Sequence, residues 1–179
     1  MNLPNKLTIL RIVLVPFFIA CFYLPLSCWS YIAGAVFILA YLTDIFDGRY
    51  ARKHNLVSDF GKLMDPIADK LLTSSAVIML VSCGMFSPIV GVIIIAREFL
   101  ISGIRLVAAG KGNVIAASKL GKVKTVTQCV AIALVLLKNP VFSLIPFPMD
   151  TVMVYVSAVF TVWSGAEYVI KNKSVFSAK

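Results

Sequence analysis

Asp44-Ile-Phe-Asp47-Gly48-Arg-Tyr-Ala51-Arg52, then eight residues, then Gly61-Lys-Leu-Met-Asp65-Pro-Ile-Ala-Asp69 hold five of the eight acidic residues of the chain, Asp59 among them. Acids are scarce here and collected in one place. Long apolar runs adjoin this stretch on both sides, and a carboxylate beside hydrocarbon is costly unless a partner offsets its charge. The stretch therefore asks for cations and for a membrane edge.

Working outward, the 179 residues are 60% hydrophobic and 14% charged, with mean hydropathy +0.94. That balance excludes an ordinary soluble domain. Apolar stretches recur along the whole length, several near the roughly 17–25 residues that a helix needs to cross a bilayer. We place spans at residues 7–26, 29–46, 61–86, 89–109, 125–137 and 151–170, as one all-α integral membrane domain over 1–179 with six transmembrane helices. The first apolar run is too long for a secretory signal and lacks a cleavage pattern, so it is expected to stay in the mature protein.

The net charge of +9 does not point to nucleic acid, because the basic residues sit at the ends of apolar segments with no interleaved aromatics. Lys6, Arg11, Arg49, Arg52, Lys53, Lys111, Lys119, Lys122, Lys124, Lys171, Lys173 and Lys179 fall on one side of a six-span topology, and the opposite loops offer Lys138. By the positive-inside rule, both termini and the acidic stretch are expected at the cytoplasmic face of a multi-pass cell-membrane protein. Cys21, Cys28, Cys83 and Cys129 lack metal-knuckle spacing and read as packing residues. His54 stands in a basic loop without a second imidazole or thiol nearby, which favours a solvated residue.

On a helix, Asp44, Asp47, Gly48, Ala51 and Arg52 share an arc of about 140°. Gly61, Asp65 and Asp69 follow at i, i+4 and i+8 on the next helix, and a short loop brings the two pairs of acids together. Four carboxylates without His or thiolate suit hard divalent ions, Mg²⁺ or Mn²⁺. They are enough for two ions that share ligands and clamp a pyrophosphate. Gly48, Ala51 and Gly61 leave room for a nucleotide against the backbone, and Arg52 supplies a planar cation for phosphate oxygens. Small residues also let membrane helices pack closely, but packing does not call for four acids and an arginine beside them.

The stretch fits D-x2-D-G-x2-A-R-x8-G-x3-D-x3-D without a mismatch, and so resembles the signature of the CDP-alcohol phosphotransferases. The resemblance implies six transmembrane helices, a homodimer, a binuclear metal site and a CDP-linked lipid donor. By position, Asp44, Asp47, Asp65 and Asp69 would be the metal-site acids, and Asp69 also the general base. Gly48, Ala51, Arg52 and Gly61, with Asp47, would hold the CDP group. Further stretches, Asn2 to Thr8 with Arg11, Lys62 to Lys70, Ala96 to Phe99 and Leu120 to Thr125, are similar to one branch of the family, the phosphatidylglycerophosphate synthases. This branch implies transfer of a phosphatidyl group from CDP-diacylglycerol to glycerol 3-phosphate, with Asn5 and Thr8 on the donor side.

The charges in the fourth span agree with an anionic acceptor. Arg97, Glu98 and Arg105 lie where the segment should be apolar, and charges buried in a membrane are functional by default. With Lys122 and Lys124 the arginines make a candidate phosphate pocket. For Glu98, a network with Arg97 that ties helices together is the favoured reading. Three rivals stay open: the same chemistry with serine or inositol phosphate as acceptor, a divalent-cation transporter, and an inactive scaffold. A transporter leaves Gly48, Ala51, Arg52 and Gly61 without a purpose.

Overall fold

The computed structural model describes residues 3–53, 59–112, 115, 116, 118–139 and 147–173, and only the backbone of 3–6, 44–53, 59–63, 65 and 66. Among the described residues the chain is all helical: α1 Leu3–Cys21, α2 Trp29–Lys53, α3 Asp59–Ser82, α4 Pro88–Gly110, α5 Lys119–Leu136 and α6 Met149–Lys171. At about 1.5 Å per residue the longest of these span well over 30 Å, the thickness of the hydrocarbon layer.

The helix ends depart from the hydropathy reading most at α1, α2 and α5: α2 runs on past 46 to Lys53 through the acidic stretch, and the other two have local causes. α1 stops at Cys21 rather than near Leu26, because the segment before Pro25 folds into turns, with Phe22 N donating to Ile19 O and Tyr23 N to Ala20 O. A proline disfavours helix in the residue before it. α5 starts at Lys119, six residues ahead of the apolar run, because Ser118 caps it: its Oγ accepts from Gly121 N at 3.0 Å. This capped turn carries Gly121 and Lys122 into the site described below.

Schellman turns end α3 and α5. Gly84 takes φ +68° while its N–H donates to Val81 O and Met85 N to Leu80 O. Lys138 does the same at φ 55°, with Lys138 N donating to Val135 O and Asn139 N to Leu134 O. Both turns satisfy carbonyls that hydrocarbon could not.

α1 packs on α2 and α3, and α6 on α4 and α5, with α2, α3 and α5 meeting between them. The shared core includes Phe18, Phe37, Leu72, Leu80, Ile94, Ile132 and Leu136. Phe18 meets Phe22 edge-on at 5.2 Å between centroids. A smaller cluster of Ile101, Ile104 and Tyr168 joins α4 to α6.

The polarity of this bundle is inverted relative to a soluble one. Arg11, Lys124, Gln128, Ser157, Thr161 and Ser164 are buried, while Phe17, Leu39, Ile89, Val92, Phe99, Leu106, Trp163 and Ile170 are more than half exposed. An apolar exterior of that extent is at home in lipid. Among the described residues α6 is long and apolar enough to cross a membrane, and Leu7–Cys21 and Trp29–Thr43 form shorter apolar segments. α4 is 23 residues long yet interrupted by Arg97, Glu98 and Arg105, so its polar content is a property of the site. The chain is an all-α membrane protein.

Close helix approach gives one stability prediction. A Cβ on Gly34 would lie 2.9 Å from Leu137 Cδ2 and 3.4 Å from Leu136 Cβ. Gly34→Ala is expected to lower stability by about 1–3 kcal/mol through overpacking between α2 and the end of α5. Thermal unfolding in detergent measures it, and an unchanged midpoint would show that Leu137 gives way freely.

Candidate active site

Asp69 lies half-buried on α3, and Thr73 Oγ1 donates to its carbonyl oxygen one turn on at 2.9 Å. Together with Lys70 it forms one wall of a cavity of about 260 Å³. Arg97, Glu98, Ile101, Ser102 and Arg105 from α4 form the second wall, and Gly121, Lys122 and Thr125 from α5 the third. The lining thus carries four cations and two carboxylates, a surplus suited to an anion that brings two negative charges. Three sequence stretches widely separated along the chain meet here, because α5 begins early enough for its first turn to reach α4.

The α4 charges are held from beneath. Glu98 Oε1 accepts from Lys124 Nζ and lies 3.5 Å from Arg97 Nη1. The Lys124 side chain is 2% exposed, so Glu98 supplies the charge that makes its burial tolerable. Arg97 Nη2 donates to Ser164 Oγ of α6 at 3.1 Å. Arg97 Nε is buried without an acceptor among the described residues, an orphan that an incoming oxyanion can satisfy. Arg105 Nε donates to Tyr168 Oη at 3.1 Å, and its guanidinium carbon stands 5.5 Å from that ring's centroid.

Of the expected acceptor residues, Arg97, Arg105 and Lys122 line the cavity with Asp69. Lys124 takes a different place, behind the wall in the ion pair with Glu98. The expected network of Arg97 and Glu98 exists, and Lys124 is its third member.

On the donor side, Asp44, Asp47, Gly48, Ala51 and Arg52 fall in the last part of α2, and Gly61 and Asp65 in the first part of α3. Helical backbone through both segments keeps Asp44 with Asp47, and Asp65 with Asp69, one turn apart. The side chains of these residues other than Asp69, and that of Asn5 in α1, lie outside the described residues, as does His54 altogether. Thr8 is buried on α1, and Arg11 one turn further is buried too. An all-carboxylate donor set on two successive helices has the chemistry for divalent cations, with Asp69 linking it to the cavity.

Sequence reasoning placed α6 but missed its polar side chains. Ser157, Thr161, Ser164 and Tyr168 are all buried in one helix. Their spacing of four, three and four was a readable sign of a polar stripe. An apolar groove of about 350 Å³ between α3 and α4, lined by residues that include Ile67, Leu71, Ile78 and Phe99, adjoins the cavity and shares Lys70 and Ser102 with it.

The family model described as CDP-alcohol phosphatidyltransferase matches residues 1–163. A protein of Bacillus subtilis named CDP-diacylglycerol–glycerol-3-phosphate 3-phosphatidyltransferase is 46% identical over 184 aligned positions, covering 96% of this chain and 95% of its own. Proteins of the same name are 39% identical in Rickettsia felis, covering 98% and 97%, and 36% identical in Shigella flexneri, covering 93% and 92%. With the signature spread over the last part of α2 and the first part of α3 and a cationic cavity beside Asp69, the chain belongs to the CDP-alcohol phosphatidyltransferase family.

Proposed function

We propose that the protein transfers the phosphatidyl group of CDP-diacylglycerol to the 1-hydroxyl of sn-glycerol 3-phosphate, giving phosphatidylglycerol phosphate and CMP. The observation that carries this reading is the cavity in which Asp69 shares walls with Arg97, Arg105 and Lys122. A carboxylate able to take a proton stands beside three cations able to hold a phosphate. A neutral acceptor such as serine has no use for them. The names of the relatives agree with this acceptor and donor.

In this mechanism the acceptor's phosphate docks between the α4 arginines and Lys122, which directs its far hydroxyl toward α3. Asp69 takes the hydroxyl proton as the oxygen attacks the lipid-side phosphorus, and the bond to the CMP oxygen breaks. Arg52 and the small residues Gly48, Ala51 and Gly61 seat the CDP group. Asn5 and Thr8 complete the donor side. Asp44, Asp47, Asp65 and Asp69 would hold two divalent cations, Mg²⁺ or Mn²⁺, whose chemistry is to neutralise the pyrophosphate and stabilise the leaving group. Phosphoryl transfer asks the protein mainly for positioning and charge stabilisation, which these side chains provide. The groove beside the cavity supports a donor with acyl chains, since it offers an apolar lane next to the polar one. The reading includes six membrane crossings, a homodimer, and an active site and termini on the cytoplasmic side.

Purified protein given CDP-diacylglycerol is expected to release CMP with glycerol 3-phosphate and to be at least about a hundredfold slower with serine, which brings no phosphate to the cavity's cations. Inositol phosphate, which does bring one, is the competing acceptor to assay beside it, and a faster rate with it would reassign the acceptor. EDTA is expected to abolish the release, and Mg²⁺ or Mn²⁺ to restore it. Equal rates with serine would reassign the acceptor, and full activity in EDTA would remove the metals. Metal flux into proteoliposomes without CMP release would favour a transporter.

A further inference from the structure

The polar stripe of α6 divides by what its hydroxyls do. Ser157 Oγ donates to Val154 O at 2.8 Å and Thr161 Oγ1 to Ser157 O at 2.6 Å, so both are satisfied within their own helix. Ser164 and Tyr168 reach the cavity's arginines instead. Ser164 Oγ directs its proton to Thr161 O at 3.2 Å, which leaves the oxygen's lone pairs to accept from Arg97 Nη2. Neither residue lines the cavity.

Their geometry selects which edge of each guanidinium stays available. Tyr168 Oη occupies Nε of Arg105, so the edge formed by the two Nη groups remains for a bidentate contact with a phosphate. Arg105 is itself exposed, and an untethered arginine would lose considerable rotamer freedom on binding an anion. Tyr168 is 3% exposed and packed with Ile101 and Ile104, which makes it a rigid post. Arg97 is gripped between Glu98 and Ser164, and a Cβ on Gly165 would come within 3.2 Å of its Cγ. α6 therefore controls both guanidinium groups from outside the cavity.

We infer that Tyr168 and Ser164 are positioning residues that aim Arg105 and Arg97 at the acceptor's phosphate and set how tightly a phosphate-bearing acceptor is held. This rests on the function proposed above. Tyr168→Phe removes one oxygen and keeps the ring. In the full-length purified protein it is expected to raise KM for glycerol 3-phosphate by roughly tenfold, the scale of one hydrogen bond to a charged group, with kcat within about twofold. KM for CDP-diacylglycerol stays unchanged. In an Arg105→Lys background, which lacks Nε, adding Tyr168→Phe is expected to change KM by less than about twofold. Ser164→Ala reads the same claim at Arg97 and keeps it testable if Tyr168→Phe does not fold. An unchanged KM for glycerol 3-phosphate in either folded variant overturns the inference, as does a tenfold effect that persists in the Arg105→Lys background. Those results leave the proposed reaction standing, whereas wild-type protein that releases no CMP with glycerol 3-phosphate overturns both.

Discussion

Asp69→Asn is expected to lower the rate of glycerol 3-phosphate-dependent CMP release by about 10³-fold, within the range of a lost general base. The substitution preserves shape and removes the charge and the proton-accepting oxygen together. Among the described residues, Asp69 is the member of the acidic set that borders the cavity, so its loss strikes proton transfer and any cation held with its neighbours. The fall should appear in kcat, because both roles are exercised most strongly at the transition state. Asp150→Asn is the matched control: Asp150 lies in the first turn of α6, where its Oδ1 accepts from Thr151 N, and its loss should leave the rate within about twofold. Retention of a tenth or more of the wild-type rate by Asp69→Asn would remove Asp69 from the proton transfer.

Glu98→Ala is expected to have the largest effect on stability, about 3–5 kcal/mol, because it strands the buried Lys124 ammonium. Lys124→Ala should cost less. It leaves Glu98, 17% exposed, still in contact with Arg97 at 3.5 Å. Replacing both with leucine should recover much of the loss, since apolar side chains of similar volume need no counter-charge. Thermal unfolding of the four proteins in one detergent measures this order. Equal losses for Glu98→Ala and Lys124→Ala would show that the burial of Lys124 is not what Glu98 offsets. The double variant also separates structure from catalysis, because a well-folded protein with a raised KM for glycerol 3-phosphate would show that the ion pair organises Arg97.

Hydropathy was enough to read six helices, and at α1 and α5 the ends it misjudged have local causes. Ser118 lengthened α5 through a capping bond, which apolar content does not register. The turns before Pro25 shortened α1, although leucines continue through the segment. The candidate site was legible for a related reason. A charge in an apolar run has to have a purpose, so Asp69, Arg97 and Arg105 stood out against their surroundings. Serine, threonine and tyrosine are inexpensive in a membrane helix, and Ser164 and Tyr168 passed unnoticed.

The sequence by itself determined the family, the helical class and the acidic face, because spacing along a helix is a local property that 3.6 residues per turn convert directly into a surface. It could not decide what faces that surface. Lys122 and Lys124 are two residues apart and chemically alike, yet one lines the cavity and the other is buried against Glu98. Positions two apart on a helix point in nearly opposite directions, and only the rotation of α5 against α4 and α6 chooses which of them meets the cavity. The same rotation brings Arg97 and Arg105 against Ser164 and Tyr168, more than sixty residues away along the chain.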